Sequence, residues 1–188
     1  MEFSELKIGD QVWMKNNSNL TSFRNGEKIR LIESTSEWLD ASKKKEPACC
    51  LYPINENNYH ESIILYNWYA VSDLRGIAPE GWRVPTLDDF RKLKANLFGS
   101  NEAFINCNSQ IHESKNVNNE IFSFFCGTRD FNGSFLNFGE FGFWWTSDEL
   151  KENTLYAFGF DVNSENDSLY SFYTDKGDGL SLRFIRHC

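Results

Sequence analysis

At 188 residues the chain is about one domain long and can bury one sizeable core. Its formal charge of −8 and isoelectric point near 4.9 argue against a nucleic-acid backbone or an anionic membrane as partner, since both attract basic surfaces. Aromatic residues make up 16%, with 17 Phe, 7 Tyr and 6 Trp, a surplus that requires either an unusually aromatic core or an exposed contact surface.

Met1 to Glu5 lacks the basic and apolar regions of an export signal, so none is expected in the chain as given. No stretch approaches the roughly 18 to 20 apolar residues of a membrane span, so none is expected. "IGDQVWM" (Ile8 to Met14) alternates as one strand near a sheet edge, and Asn25-Gly26 marks a tight turn after it. "STSEWLDASK" opens on hydroxyl residues suited to cap a short helix, and the following Lys43-Lys44-Lys45 reads as a solvated loop. "PACCLYP" is bounded by prolines and reads as a short strand that points Cys49 and Cys50 to opposite faces. "ILYNWYAVSD" reads as a short buried helix, with a strand as the alternative.

The firmest local pattern follows "GWRVPT". Thr86 and Asp89 form an acidic version of the capping box, and Leu87, Phe90, Leu93, Lys94 and Leu97 recur at helical spacing, so an amphipathic helix is expected over 87–98, ended by Gly99. Beyond residue 120 the chain becomes rich in aromatics and glycine, with a turn at Asn132-Gly133. "TLYAFGFDV", "SLYSFYT" and "LSLRFIR" read as successive strands. Helices first and a mostly antiparallel sheet second give an α+β class in one domain over 1–188.

"IGDQVWM", "FRNG", "LYNWYAV", "RGIAPEGWRVPT", "RDFNGSF", "GFWWTSDE" and "LSLRFIR" occur in the order and approximate spacing of the Fibrobacter succinogenes major paralogous domain, which the chain resembles from Ile8 to about Arg186. That family is similar to the C-type lectin fold and to the related fold of formylglycine-generating enzymes and retroelement-diversified variable proteins. The resemblance implies two helices, a twisted antiparallel sheet and long loops, and favours an extracellular or particle-associated location. The chain departs from the family pattern at Ala78, where a Cys is common, at Arg83, where His is common, and at Arg183-Phe184, where members tend to end in "VRC" and this chain places Cys188 further on. These departures count against a family disulfide at those positions.

No catalytic residue, cofactor or metal is expected. The five cysteines, Cys49, Cys50, Cys107, Cys126 and Cys188, have no C-x-x-C spacing for zinc or thiol exchange. Cys126 reads as a small core residue rather than half of the reactive pair of the formylglycine branch. His60, His112 and His187, the only histidines to serve as base, lie in polar or terminal segments. "DVNSEND" (Asp161 to Asp167) begins like a calcium loop, but Asn166 stands at its sixth position and Phe172 at its twelfth, where Gly and Glu are needed.

In "GEFGFWWTSDE", Phe141, Phe143 and Trp145 share one face of an extended chain and Trp144 and Thr146 the other. By resemblance, the segment after the tryptophans opens onto the ligand-facing surface. "NSENDSLYS" has the Asn, Asp, Ser and Tyr bias of adaptable binding surfaces. A noncatalytic recognition module is therefore expected, binding a glycan or protein ligand through Trp145, Ser147, Asp148, Tyr156, Asn163, Tyr170 and Tyr173, with Trp13, Trp68, Trp82 and Trp144 in the core. The alternative is a structural or assembly subunit of a secreted or phage-like particle.

Overall fold

Gly9 adopts φ 61, a left-handed conformation that favours glycine, and there the chain turns back on itself. The single strand expected over Ile8 to Met14 is thus a hairpin, with β1 (Glu5–Ile8) antiparallel to β2 (Gln11–Met14) and Ile8 opposite Gln11. Alternation alone gave no warning of that turn. The computed structural model describes residues 4–53, 63–98, 125–163 and 169–187. Gly99, Cys107, Cys188, His60, His112 and residues 164–168 lie outside the described residues.

β3 (Arg30–Leu31) pairs in parallel with β4 (Ala48–Leu51), and α1 (Thr35–Lys44) crosses between them. The Ser34 hydroxyl accepts the Glu37 N–H and caps α1 as expected. Lys43 and Lys44 form its last turn, where cations suit the helix dipole, and Lys45 is its left-handed cap, so the lysine run ends a helix rather than forming a loop. Cys49 and Cys50 do point to opposite faces: Cys49 packs in the cluster around Tyr66 and Trp145, Cys50 in that around Trp38.

The "ILYNWYAVSD" segment is both of its alternatives in succession. β5 (Ile64–Tyr66) pairs with β4, and then Asn67 accepts the Ala70 N–H to start the one-turn helix α2 (Trp68–Val71). The described residues therefore hold three helices rather than two. α3 (Leu87–Phe98) occupies the expected range. Its capping box is reciprocal: the Asp89 N–H donates to Thr86 Oγ1 at 3.1 Å while Asp89 Oδ2 accepts the Thr86 N–H at 2.7 Å.

β6 (Thr128–Arg129) and β7 (Phe135–Leu136) form a small hairpin around Asn132-Gly133. β8 (Phe141–Glu149), β9 (Tyr156–Asn163) and β10 (Leu169–Asp175) follow as a three-stranded antiparallel sheet in the order β10-β9-β8. Only Ile185–His187 of the terminal segment is a strand, β11, which pairs with β2 and joins the two ends of the described chain. Upstream of it, single bridges link Gly179 to Arg129, Leu180 to Tyr66 and Ser181 to Trp144. The "LSLRFI" run reads as a strand because it is buried between sheets, with Leu180 bridging to β5, Ser181 to β8 and Ile185 pairing with β2.

The architecture is α+β with small, mostly antiparallel sheets and no closed barrel among the described residues. α3 lies on one side of the β8–β10 sheet, with the Phe90 ring stacked 4.3 Å from Phe160 and 5.0 Å from Trp13. Trp13, Trp68, Trp82 and Trp144 are all buried as expected. Among the described residues no helix is long and apolar enough to cross a membrane.

Candidate functional site

The register of the β8–β10 sheet sorts its side chains into two faces. On the helix side lie Trp144, Phe160 and Ser171, paired across the strands, with Val162 opposite Leu169. On the other side Trp145 pairs with Gly159 and Phe172, Phe143 with Asp161 and Tyr170, and Phe141 with Asn163. Two glycines give the rings room. A Cβ on Gly142 would meet the Trp144 indole at 2.3 Å, and one on Gly159 would meet the Phe172 ring at 2.8 Å.

The seven residues expected to share a binding face do not share one. Trp145 is fully buried and donates its indole N–H to the Tyr66 carbonyl at 2.7 Å, so it belongs to the core and offers no surface to a ligand. Its strand parity was right, but Ala157, Leu180 and Tyr66 pack in its cluster. Ser147 and Asp148 sit where β8 slips register between Trp145 and Glu149. That irregularity ties them to the start of α3: the Ser147 N–H donates to the Pro85 carbonyl at 2.9 Å, and Asp148 Oδ2 accepts the Leu87 N–H at 2.7 Å. Ser147 is exposed, whereas Asp148 is half-buried in this helix-positioning contact.

The remaining four split by face. Tyr156 and Tyr173 lie on the helix side, edge to face at 5.8 Å, with Phe158 beside Tyr173. Asn163 and Tyr170 lie on the opposite side. Tyr170 is 56% exposed and Tyr173 59%, so both present contact surface, but to different directions.

The face away from α3 carries the denser arrangement. Phe141 stacks on Phe143 at 5.7 Å, and Phe143 meets Phe172 edge to face at 5.6 Å across the slot left by Gly159. Asp161 stands in the middle strand with Phe143 on one side and Tyr170 on the other. Burial among these groups pushes its carboxyl up to about 6. Among the described residues no hydrogen bond or ion pair reaches it.

This predicts an unusual stability profile. For an acid whose folded pKa is raised, ionisation opposes folding, so the penalty is absent below the unfolded value near 4 and complete above about 6. Asp161→Asn should therefore stabilise the chain at pH 7 by about 1 kcal/mol, allowing for water screening at a half-exposed group, and by almost nothing at pH 4. Denaturant titrations at the two pH values measure it. Equal effects at both would show that ionisation of Asp161 costs the fold nothing.

Other features are weaker candidates. An open groove of about 600 Å³ is lined by Glu80, Gly81, Trp82, Arg83, Arg186 and His187. Its cations are already engaged: Arg83 clasps Asp89 and donates to His187 Nε2 at 3.0 Å, and Arg186 pairs with Glu5 at 2.7 Å. Burial raises the thiols of Cys49 to about 12 and Cys50 to about 11 and also raises Cys126, the reverse of an activated nucleophile. Among the described residues no three His, Cys, Asp or Glu side chains converge as a metal site.

Asp161, Phe141 and Phe143 were not among the residues expected on the face, and Phe143 and Phe172, both partly buried, also pack against the core cluster that holds Trp145. A lone acid inside the aromatic strand "YAFGFDV" was the available signal, since strands seldom place a charge where its neighbours are rings. The Fibrobacter succinogenes major domain model matches residues 6–186. No curated protein and no solved structure matches the chain.

Proposed function

The chain belongs to the Fibrobacter succinogenes major domain family, and from that premise we propose that it is a noncatalytic recognition module with a C-type lectin-like frame. Its binding face is the side of the β8–β10 sheet turned away from α3, where Phe141, Phe143, Asn163, Tyr170 and Phe172 surround Asp161. The ligand is a glycan or a protein, held by ring contacts and polar bonds without an obligatory metal. The observation that carries this reading is the continuous row of partly exposed rings around a carboxylate that has no partner among the described residues. Rings give large contact area with little entropy to lose, and a half-buried carboxylate without a partner among the described residues gains when a ligand supplies one. All three described helices precede the β8–β10 sheet, an order that supports the lectin-like frame.

A second reading has its own observation. Tyr156, Phe158 and Tyr173 put aromatic surface on the other side of the same sheet, which suits an assembly subunit of a secreted or phage-like particle held from two directions. The raised thiols of Cys49, Cys50 and Cys126 lend no support to a formylglycine-type enzyme.

The test is an array of glycans and surface proteins probed with the purified chain, with and without chelator, beside Tyr170→Ala and Tyr173→Ala variants. Chelator-resistant binding weakened about 10-fold or more by Tyr170→Ala, and unchanged by Tyr173→Ala, is the expected result; a tenfold loss corresponds to about 1.4 kcal/mol. Loss with both substitutions would favour the two-sided assembly reading. Binding indifferent to Tyr170 would remove this face from consideration.

A further inference from the structure

We infer that Asp161 and the rings beside it receive a cationic side chain, a lysine ammonium or an arginine guanidinium, from a protein partner. This rests on the recognition reading above and names the chemistry of its ligand. Three observations lead to it. First, Asp161 has no hydrogen bond or ion pair among the described residues, whereas the comparably enclosed carboxylates are all occupied: Asp89 by Arg83 and Thr86, Asp178 by Thr174 and the Phe131 N–H, and Asp148 by the Leu87 N–H. Second, both of its cross-strand neighbours, Phe143 and Tyr170, are aromatic. Third, Phe141 stacks on Phe143 at 5.7 Å, so the aromatic surface beside the carboxylate extends past its immediate cross-strand neighbours.

A neutral hydroxyl and a cation would use this arrangement differently. Either can donate a hydrogen bond to the carboxylate. The faces of the rings, however, carry negative partial charge, which repels the carboxylate and attracts a cation. A cation therefore gains from the carboxylate and from the rings together, while a sugar hydroxyl gains its polar bond from the carboxylate alone. The chain's net charge of −8 adds a long-range field that draws a basic partner toward it. The side of a three-stranded sheet is a broad surface suited to a protein rather than to an enclosed small molecule.

The probes are N-acetyl-arginine amide and its citrulline counterpart, which keeps the shape and removes the charge. Each is titrated into the full isotope-labelled chain at fixed ionic strength, and the backbone amide shifts are followed. The arginine probe should give saturable shifts concentrated at Phe143, Asp161 and Tyr170, and the citrulline probe none there. Asp161→Asn, a variant expected to fold at least as stably as the parent, should weaken the arginine probe 10-fold or more, and Glu140→Gln should not. Equal shifts from the two probes, an unchanged affinity in Asp161→Asn, or shifts scattered over the acidic surface would each overturn the inference. Array binding that is lost in Tyr170→Ala but intact in Asp161→Asn would also overturn it while leaving the recognition reading in place. Array binding indifferent to both substitutions would remove the two together.

Discussion

Trp145→Ala should destabilise the chain by about 3 to 5 kcal/mol, the range for truncating a large buried aromatic side chain. Against a total of roughly 5 to 15 kcal/mol for a domain, that is enough to leave a substantial fraction unfolded at room temperature. The indole is fully buried beside Tyr66, Ala157 and Leu180, and its N–H reaches the Tyr66 carbonyl at 2.7 Å. Trp145→Phe should cost less, because much of the packing survives and the Tyr66 carbonyl still accepts the Leu180 N–H at 3.1 Å. Chemical denaturation monitored by circular dichroism separates the variants. An unchanged midpoint in Trp145→Ala would mean that the indole is not core and would restore it to the candidate face.

The second large effect is expected at Asp89. Its carboxylate is 3% exposed, clasped by the Arg83 guanidinium at 2.5 and 2.8 Å and by the Thr86 N–H and hydroxyl, each at 2.7 Å. Burial alone would raise its pKa; the Arg83 bonds, then those of Thr86, overcome that and hold it well below the usual carboxylate range. A depressed acid contributes stability that is complete above its unfolded value near 4 and is lost as pH falls toward the folded value. Asp89→Ala should therefore cost about 2 to 3 kcal/mol at pH 7, by removing the α3 cap and the charged bonds to the partly exposed Arg83. It should also flatten the acid limb of the stability profile below pH 4. Urea titrations from pH 7 to pH 2 test both, and a variant keeping the parent's acid limb would show that another carboxylate governs it.

These two sites lie at opposite ends of what could be read beforehand. Asp89 was legible because a capping box is local: Thr86 and Asp89 are three residues apart, and any helix starting there brings them together. The partnership with Arg83 and the reach of Gln11 to the Asp89 carbonyl at 3.0 Å were not, because the latter joins residues 78 apart. Trp145 was half legible. Alternation placed it with Phe141 and Phe143, but burial depends on what packs over each position of a face, and Tyr66, Ala157 and Leu180 join the cluster that encloses Trp145.

The same division holds for the candidate site. Strand parity by itself already separated Tyr170 from Tyr173, since positions an odd number of residues apart point to opposite faces of a strand. Which strands then join, and in what register, is decided by non-local pairing and by the slip in β8 between Trp145 and Glu149. Only that pairing set Asp161 between Phe143 and Tyr170. The sequence by itself determined the α+β order, the capped helices at Ser34 and Thr86, the turn at Asn132-Gly133 and four buried tryptophans, all properties of short-range pattern and hydrophobic preference. The tertiary structure alone decided that one tryptophan leaves the face, that Ser147 and Asp148 bind the start of α3, and that a lone carboxylate stands among rings. Those are products of contacts between distant segments, whose geometry no local periodicity encodes.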